Sequence, residues 1–439
     1  PRIAYAYRPE RLMVTTLNRA QNRIEMYAVN PKSTVAKSVY VDEASTGWID
    51  PSAWENTKFY PDFFMITSEQ SGYNHVYQYS YSGARMRQVT SGDFDVTAYY
   101  GCEPVSGVHY FQSTVSGAVN RVVSRVDAKG KVTDLGDMRG VSSASFSPDM
   151  AYMTLSYSNV TTPPVHTLCT SAGKEIRILE DNAGVRARYG NIPTKEFFTV
   201  ASDGYTLNGF VLKPSDFSSS RKYPVIMYQY SGPGSQEVLD RWRMDWDYFF
   251  VQQGYIVMCV DGRGTGGRGK AFKDCVYRNL GHYETIDQIN AAKYAASLPY
   301  VSKVGIFGWS YGGYESLMAA SQYDYDAAVA VAPVTDWRYY DTVYAERYML
   351  TPQENEDGYN SSAPVNYVDR IKTPLLIMHG TADDNVHLMN TMQYVSALQS
   401  SGKVCDMLLF PNMNHSINGC NSRSLVYLNM LNFFDRNLK

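Results

Sequence analysis

Over roughly its first 190 residues the chain alternates apolar and polar positions in short runs broken by polar turns. Ile24-Glu25-Met26-Tyr27-Ala28-Val29 runs into a turn at Pro31-Lys32. Val76-Tyr77-Gln78-Tyr79 leads to Ser82-Gly83 and then to Arg87-Gln88-Val89-Thr90. The same unit returns at Val122–Val126 with Lys129-Gly130, and at Val165–Leu168 with Ala172-Gly173. Period-two alternation closed by Gly or Pro turns predicts strands and hairpins. Recurrence every roughly 40–50 residues matches a four-stranded propeller blade. An irregular β-sandwich is the competing arrangement. Phe146-Ser147-Pro148-Asp149 suits a turn between two strands of a blade. About three to four blades fit residues 1–190, fewer than most closed propellers hold, so further N-terminal blades are expected upstream.

From about residue 191 the pattern changes. Continuous apolar runs appear at 225–228, 256–260, 304–307, 328–331, 375–378 and 407–410. Such runs suit parallel strands covered on both faces. Helical stretches fit between them near 284–298, 313–322 and 387–401, and a last amphipathic helix fits 422–437. Residues 194–214 predict an antiparallel hairpin leading in. The expected fold is thus a partial all-β propeller (1–190) followed by a doubly wound α/β domain (191–439).

Composition narrows the function classes. The 439 residues are 44% hydrophobic and 19% charged, with a net charge of −3. That is a globular balance with no basic excess to attract nucleic acid or an anionic membrane. No apolar run is long enough to cross a bilayer. The first residues already read as the interior of a folded domain, so any targeting segment is expected upstream. Tyrosine, at 37 copies, suits half-buried strands and amphipathic pockets. The six cysteines form no CxxC pair, which argues against a zinc site and leaves one or two disulfides open; Cys259 reads as a buried thiol. Neither a metal nor another cofactor is called for.

Candidate chemistry sits in the second half. Gly308-Trp309-Ser310-Tyr311-Gly312 matches G-x-S-x-G between an apolar strand and a helix, the context of a nucleophile elbow. A serine needs a base, and the base an orienting acid; in α/β-hydrolases they follow in the order Ser, acid, His. The strand 375–378 ends in His379-Gly380-Thr381-Ala382-Asp383-Asp384, and the next strand ends in Pro411-Asn412-Met413-Asn414-His415. His415 is the expected base. Asp383 is the expected acid, with Asp384 as its neighbouring competitor. His379, His387 at a helix start, His282, and His75, His109 and His166 in the blades read as structural or surface histidines. Arg263 reads as structural, and Glu284 and Asp287 as solvated or ion-paired.

Gly308–Tyr314 (GWSYGGY), 332–349 (APVTDWRYYDTVYAERYM) and 379–387 (HGTADDNVH) are similar to segments of the prolyl oligopeptidase family of serine peptidases, in its dipeptidyl peptidase IV branch. YSGPGSQ at 230–236 and DGRGTG at 261–266 fit the same family, and SEQSGYNHVYQYS at 68–80 is compatible with it. The resemblance implies release of N-terminal dipeptides from peptides with penultimate proline, or less readily alanine, through an acyl-enzyme. It implies Ser310, Asp383 and His415 as the triad, with the Tyr311 backbone N–H and the Tyr230 phenol stabilising the oxyanion. It implies a proline pocket walled by Tyr311, Val334, Trp337, Tyr340, Tyr344 and Val386, with the Asn385 amide binding a substrate carbonyl. It further implies a homodimer, with the C-terminal helix as a contact, and a periplasmic or secreted enzyme. One departure stands out: the family binds the substrate amine through two adjacent glutamates, and this chain contains no Glu-Glu pair. A prolyl endopeptidase or acylaminoacyl peptidase, a small-molecule esterase and a non-catalytic propeller that binds proteins remain as alternatives.

Overall fold

The computed structural model describes residues 1–6 and 11–439. The chain forms two compact units. One comprises Pro1–Asn191, Leu239–Arg243 and Gly266–Asp274; the other comprises Ile192–Val238, Met244–Thr265 and Cys275–Lys439.

Among its described residues the first unit contains four four-stranded antiparallel sheets, within 2–43, 58–88, 96–134 and 141–180, and in each the strands pair in chain order. These are propeller blades. The recurring unit of the sequence is the third strand of each blade with the turn that follows it: Arg23–Val29, His75–Ser80, Val122–Val126 and Thr162–Thr170. Neighbouring sheets bury separate apolar clusters against one another. Met13, Ile24 and Met26 meet Phe64, Ile66 and Tyr77; Met65 and Val76 meet Tyr99 and Phe111; Tyr110 and Val123 meet Met153 and Cys169. A blade cannot bury both faces alone, so stacking of blades supplies the core.

Gly266–Asp274 joins this unit through charge. Lys273 is buried, with its ammonium 2.8 Å from Glu69 and 3.3 Å from Asp50. Burial alone would lower its pKa; the carboxylates of Asp50 and Glu69 outweigh that and hold it well above the usual lysine value. Lys270 donates to the Trp48 carbonyl and to Asp274.

The second unit is built on one eight-stranded sheet. Its strands are β1 (Glu196–Ser202), β2 (Tyr205–Leu212), β3 (Tyr223–Tyr228), β4 (Ile256–Asp261), β5 (Val301–Trp309), β6 (Ala327–Val331), β7 (Leu375–Gly380) and β8 (Asp406–Phe410). The sheet order is β1-β2-β4-β3-β5-β6-β7-β8. The expected hairpin supplies the two antiparallel strands, β1 and β2; every pairing from β4 to β8 is parallel. Every residue of β4, β6 and β7 is buried, which explains their unbroken apolar runs. Five helices matter below: α1 (His282–Ser297), α2 (Tyr311–Ala320), α3 (Thr342–Met349), α4 (Met389–Ser400) and α5 (Ser422–Leu438). Val426, Met430, Phe433 and Phe434 of α5 cover one face of the sheet at Ile226, Phe307, Val329 and Met378. α1 and α2 pack on each other and on β5.

Arg263 is structural, as its sequence context suggests. Its guanidinium donates to both oxygens of Asp287 at 2.7–3.1 Å and to Asp203 at 3.2 Å. Asp287 also accepts from the Arg263 backbone N–H and the Ser202 hydroxyl. Removing one partner leaves a buried charge uncompensated. Arg263→Ala is therefore expected to destabilise the protein by about 3–5 kcal/mol, read as a fall in the thermal midpoint. All six cysteines are free thiols, Cys259 among the buried ones, so neither of the disulfides left open by the sequence forms in this structure.

Candidate active site

β5 ends at Trp309 and α2 begins at Tyr311, which leaves Ser310 alone on the turn between them. Its φ of 61° and ψ of −118° are strained for an L-residue. The elbow closes only with glycine on both sides. A Cβ at Gly308 would lie 2.1 Å from the Gly312 carbonyl oxygen, and one at Gly312 would lie 2.4 Å from the Gln229 carbonyl oxygen. The backbone N–H of Tyr311 heads α2, where no carbonyl of the preceding turn is available to it. It is free to meet a developing negative charge, as the resemblance implies.

The acid and base come from the ends of β7 and β8. His415 Nδ1 lies 2.7 Å from Asp383 Oδ2. Asp383 Oδ1 accepts from the backbone N–H groups of Asn385 and Val386, at 2.9 and 3.0 Å. Asp384, the competitor, is exposed to solvent. Burial would raise the Asp383 carboxyl; hydrogen bonds from His379, His415 and Asn385, with the His415 charge, outweigh it and hold it well below the usual carboxylate range. With Nδ1 engaged by the acid, Nε2 is the nitrogen left to serve a nucleophile. Gly380 allows this meeting, since a Cβ there would sit 2.3 Å from the Met413 carbonyl oxygen on the loop that carries His415. The Trp309 indole donates to the His415 carbonyl at 3.0 Å, which ties the base's loop to the elbow. Among the described residues no hydrogen bond joins Ser310 to His415; such bonds often tighten only once substrate is bound.

Tyr230 follows β3. Gln229 anchors its loop by donating to the Gly312 carbonyl at 2.7 Å and to Ser316 at 3.1 Å. Burial pushes the Tyr230 phenol up, and a hydrogen bond with the Ser310 side chain pulls it back. A neutral, desolvated phenol beside the candidate nucleophile is a preorganised donor. Tyr230→Phe is expected to lower kcat by about 10²–10³ with little change in KM, as read by steady-state kinetics.

The implied pocket walls converge. Trp337 stacks on Tyr344, with ring centroids 5.9 Å apart and planes inclined by 20°. Tyr311 and Tyr340 flank Trp337 at 5.3 and 6.0 Å. Local caps fix the segment: Asp336 accepts from the Arg338 N–H and Asp341 from the Tyr344 N–H, each at the start of a helical turn. Val334 and Val386 are buried. Asn390 at the start of α4 accepts from the Thr335 N–H at 3.0 Å, joining the segments that carry these two valines. Tyr340 donates to Asn385 Oδ1 at 2.6 Å, which leaves the Asn385 amide N–H₂ as its donor.

Comparison with known proteins gives the family. Residues 242–439 match the model of the prolyl oligopeptidase family, and residues 1–164 match that of the dipeptidyl peptidase IV N-terminal region. The chain belongs to the dipeptidyl peptidase IV branch of the prolyl oligopeptidase family. The solved dipeptidyl peptidase 4 of Porphyromonas gingivalis superposes with a TM-score of 0.97 at 43% identity, covering 100% of this chain and 63% of that one. A putative dipeptidyl aminopeptidase IV from Bacteroides ovatus gives 0.90 at 27% identity, covering 99% and 66%. A probable dipeptidyl-aminopeptidase B of Emericella nidulans is 36% identical over 95% of this chain and 49% of its own length. The chain spans about half the length of the curated relatives it matches.

Within this family member, two residues do more than their sequence suggests. His379 is buried; its Nε2 lies 3.2 Å from Asp383 Oδ2 and 2.7 Å from the Val386 carbonyl, and its Nδ1 meets the Thr391 hydroxyl at 2.7 Å. It therefore braces the acid loop. Glu284 is neither solvated nor ion-paired. It is fully buried, and its Oε1 accepts from the Tyr311 phenol at 2.8 Å. Burial pushes its carboxyl up to about 7, against backbone and phenol hydrogen bonds that pull it down. Asp287 is ion-paired, to Arg263. His75, His109 and His166 bond to neighbours within the blades, His282 is exposed, and His387 lies just ahead of α4, not in it.

Proposed function

We propose that this chain carries the catalytic machinery of a serine exopeptidase that releases N-terminal dipeptides from peptides with penultimate proline, and less readily alanine. The observation that carries the reading is the aromatic enclosure of Tyr311, Trp337, Tyr340 and Tyr344, which begins at the residue next to Ser310. A pyrrolidine ring is compact, apolar and rigid, and flat aromatic walls hold it with little loss of freedom.

In this reading His415 Nε2 takes the Ser310 proton as Oγ attacks the carbonyl carbon of the penultimate proline. Asp383 stabilises the imidazolium on its Nδ1 side. The Tyr230 phenol and the Tyr311 N–H meet the oxyanion. His415 then gives its proton to the leaving amine, and water hydrolyses the acyl-Ser310 by the reverse steps. Asn385 directs its amide to a substrate carbonyl. A homodimer belongs to the same reading; Leu425 and Leu428 of α5 are large apolar side chains left exposed, and light scattering would give the assembly mass.

The test compares hydrolysis of Gly-Pro-, acetyl-Gly-Pro- and Ala-Ala-linked chromogenic amides, with a fluorophosphonate probe followed to its adduct by mass spectrometry. Cleavage of the free Gly-Pro amide alone, or ahead of Ala-Ala, with the adduct on Ser310, is the expected result. Equal cleavage of the acetylated substrate would assign an endopeptidase or acylaminoacyl peptidase instead. Ester turnover without preference for proline would assign an esterase, and no turnover a binding protein.

A further inference from the structure

Behind the aromatic wall lies the start of α1. Glu284, in its first turn, has no exposed surface and holds the Tyr311 phenol. Tyr314, almost one turn further along α2, donates its phenol to the Leu280 carbonyl at 3.0 Å. The starts of α1 and α2 are thus pinned to each other at two points. Both tyrosine rings lean on Trp337, with centroids 5.3 and 4.9 Å away, and Trp337 stacks on Tyr344. A single phenol therefore links Glu284 to the candidate proline pocket.

Tyr311 has two separate tasks in the proposed reaction. Its backbone N–H faces the oxyanion, and its ring forms a pocket wall. The backbone is set by α2, but the ring can turn about its own side-chain torsions. What fixes the ring is its aromatic neighbours on one side and the Glu284 carboxylate at the tip of the phenol. A carboxylate in the first turn of a helix is itself steadied by the helix dipole.

We propose that Glu284 is a positioning residue for proline selectivity, holding the Tyr311 ring flat against the pocket. The proposal rests on the dipeptidyl peptidase reading above. A fixed wall matches the pyrrolidine ring and leaves a gap beside an alanine methyl; a wall free to tilt loses that difference. Glu284 touches Tyr311 and not Ser310, so its effect falls on discrimination between substrates and on KM more than on acyl transfer.

The test measures kcat and KM for Gly-Pro and Gly-Ala p-nitroanilides with the unsubstituted protein and with Glu284→Leu, Glu284→Gln and Tyr311→Phe. Glu284→Leu is expected to lower the Pro-to-Ala ratio of kcat/KM about tenfold, mainly through KM for Gly-Pro. Glu284→Gln keeps an oxygen for the phenol and should restore the ratio. Tyr311→Phe, which removes only the hydroxyl, should lower the ratio, and combining it with Glu284→Leu should add nothing further. Equal losses on both substrates, or additive losses in the double variant, would assign Glu284 to core packing and overturn the proposal. If Glu284→Leu does not fold, Tyr311→Phe decides alone, and an unchanged ratio overturns it. Absence of Gly-Pro turnover by the unsubstituted protein removes the dipeptidyl peptidase reading and this proposal with it.

Discussion

Replacing Ser310 with alanine is expected to lower kcat for a Gly-Pro amide by on the order of 10⁶, about 8 kcal/mol of transition-state stabilisation. The size follows from the chemistry. Without Oγ no covalent intermediate forms, and His415 and Asp383 have no nucleophile to activate. What survives is the pocket and the oxyanion donors, worth roughly 10³–10⁴ over water in such sites. The fold should be untouched, because alanine meets the same strained φ of 61° that serine already tolerates. KM should stay close to that of the parent, since the aromatic walls are unchanged. Steady-state kinetics checks kcat and KM, and loss of fluorophosphonate labelling checks that Ser310 is the nucleophile. A variant that kept much of the parent's turnover would place the nucleophile elsewhere.

Asp383→Asn is expected to cost about 10⁴ in kcat, while Asp384→Asn leaves it near the parent value. Asparagine would still hold the geometry, but its amide would donate toward His415 Nδ1. The ring proton would then sit on Nε2, where a base must be empty. Asp384 is exposed, so its loss removes no bond in the site. The same substitution carries a pH signature. The Asp383 carboxyl is lowered in the folded protein, so its stabilising contribution is complete above the ordinary carboxylate pKa and is lost as pH falls toward the folded value. The difference in thermal midpoint between parent and variant should be constant through neutral pH and shrink only in strong acid. A difference that instead opened between neutral and alkaline pH would show that Asp383 is not the lowered group.

The fold was legible because two periodicities replaced each other near residue 191. Alternation in Arg23–Val29 reports a blade strand with one face fully buried, and the adjacent apolar pair Val76-Tyr77 reports a strand packed against a blade on either side; unbroken runs in β4 and β7 report strands buried on both faces. Ser310 was legible because its glycines leave no other conformation for that turn. Glu284 was not, because a carboxylate in a first helical turn is ordinarily solvated. A signal for it does exist. Ala291, Ala292 and Ala295 mark the buried stripe of α1, and stepping back at helical spacing along that stripe reaches Gln288, Asp287 and Glu284. The polarity of those residues masked a face that the alanines had already defined. His379 reads as structural from the sequence, and it is; what the sequence does not show is that the chain turns back within twelve residues to bring Asp383, Val386 and Thr391 onto its ring.

Lys273 makes the protein less modular than its two patterns suggest. Its counter-charges, Asp50 and Glu69, lie in the blades, while the lysine itself comes from a stretch of chain that the hydrolase unit surrounds on both sides. A recombination that joined a foreign propeller at residue 191 would carry over a buried cation with Asp274 and leave its other two anions behind. Exchange between relatives would therefore succeed only where the donor brings acids to the same two places. The boundary that evolution or an engineer can cut is set by an ion pair and not by the point where strands give way to helices.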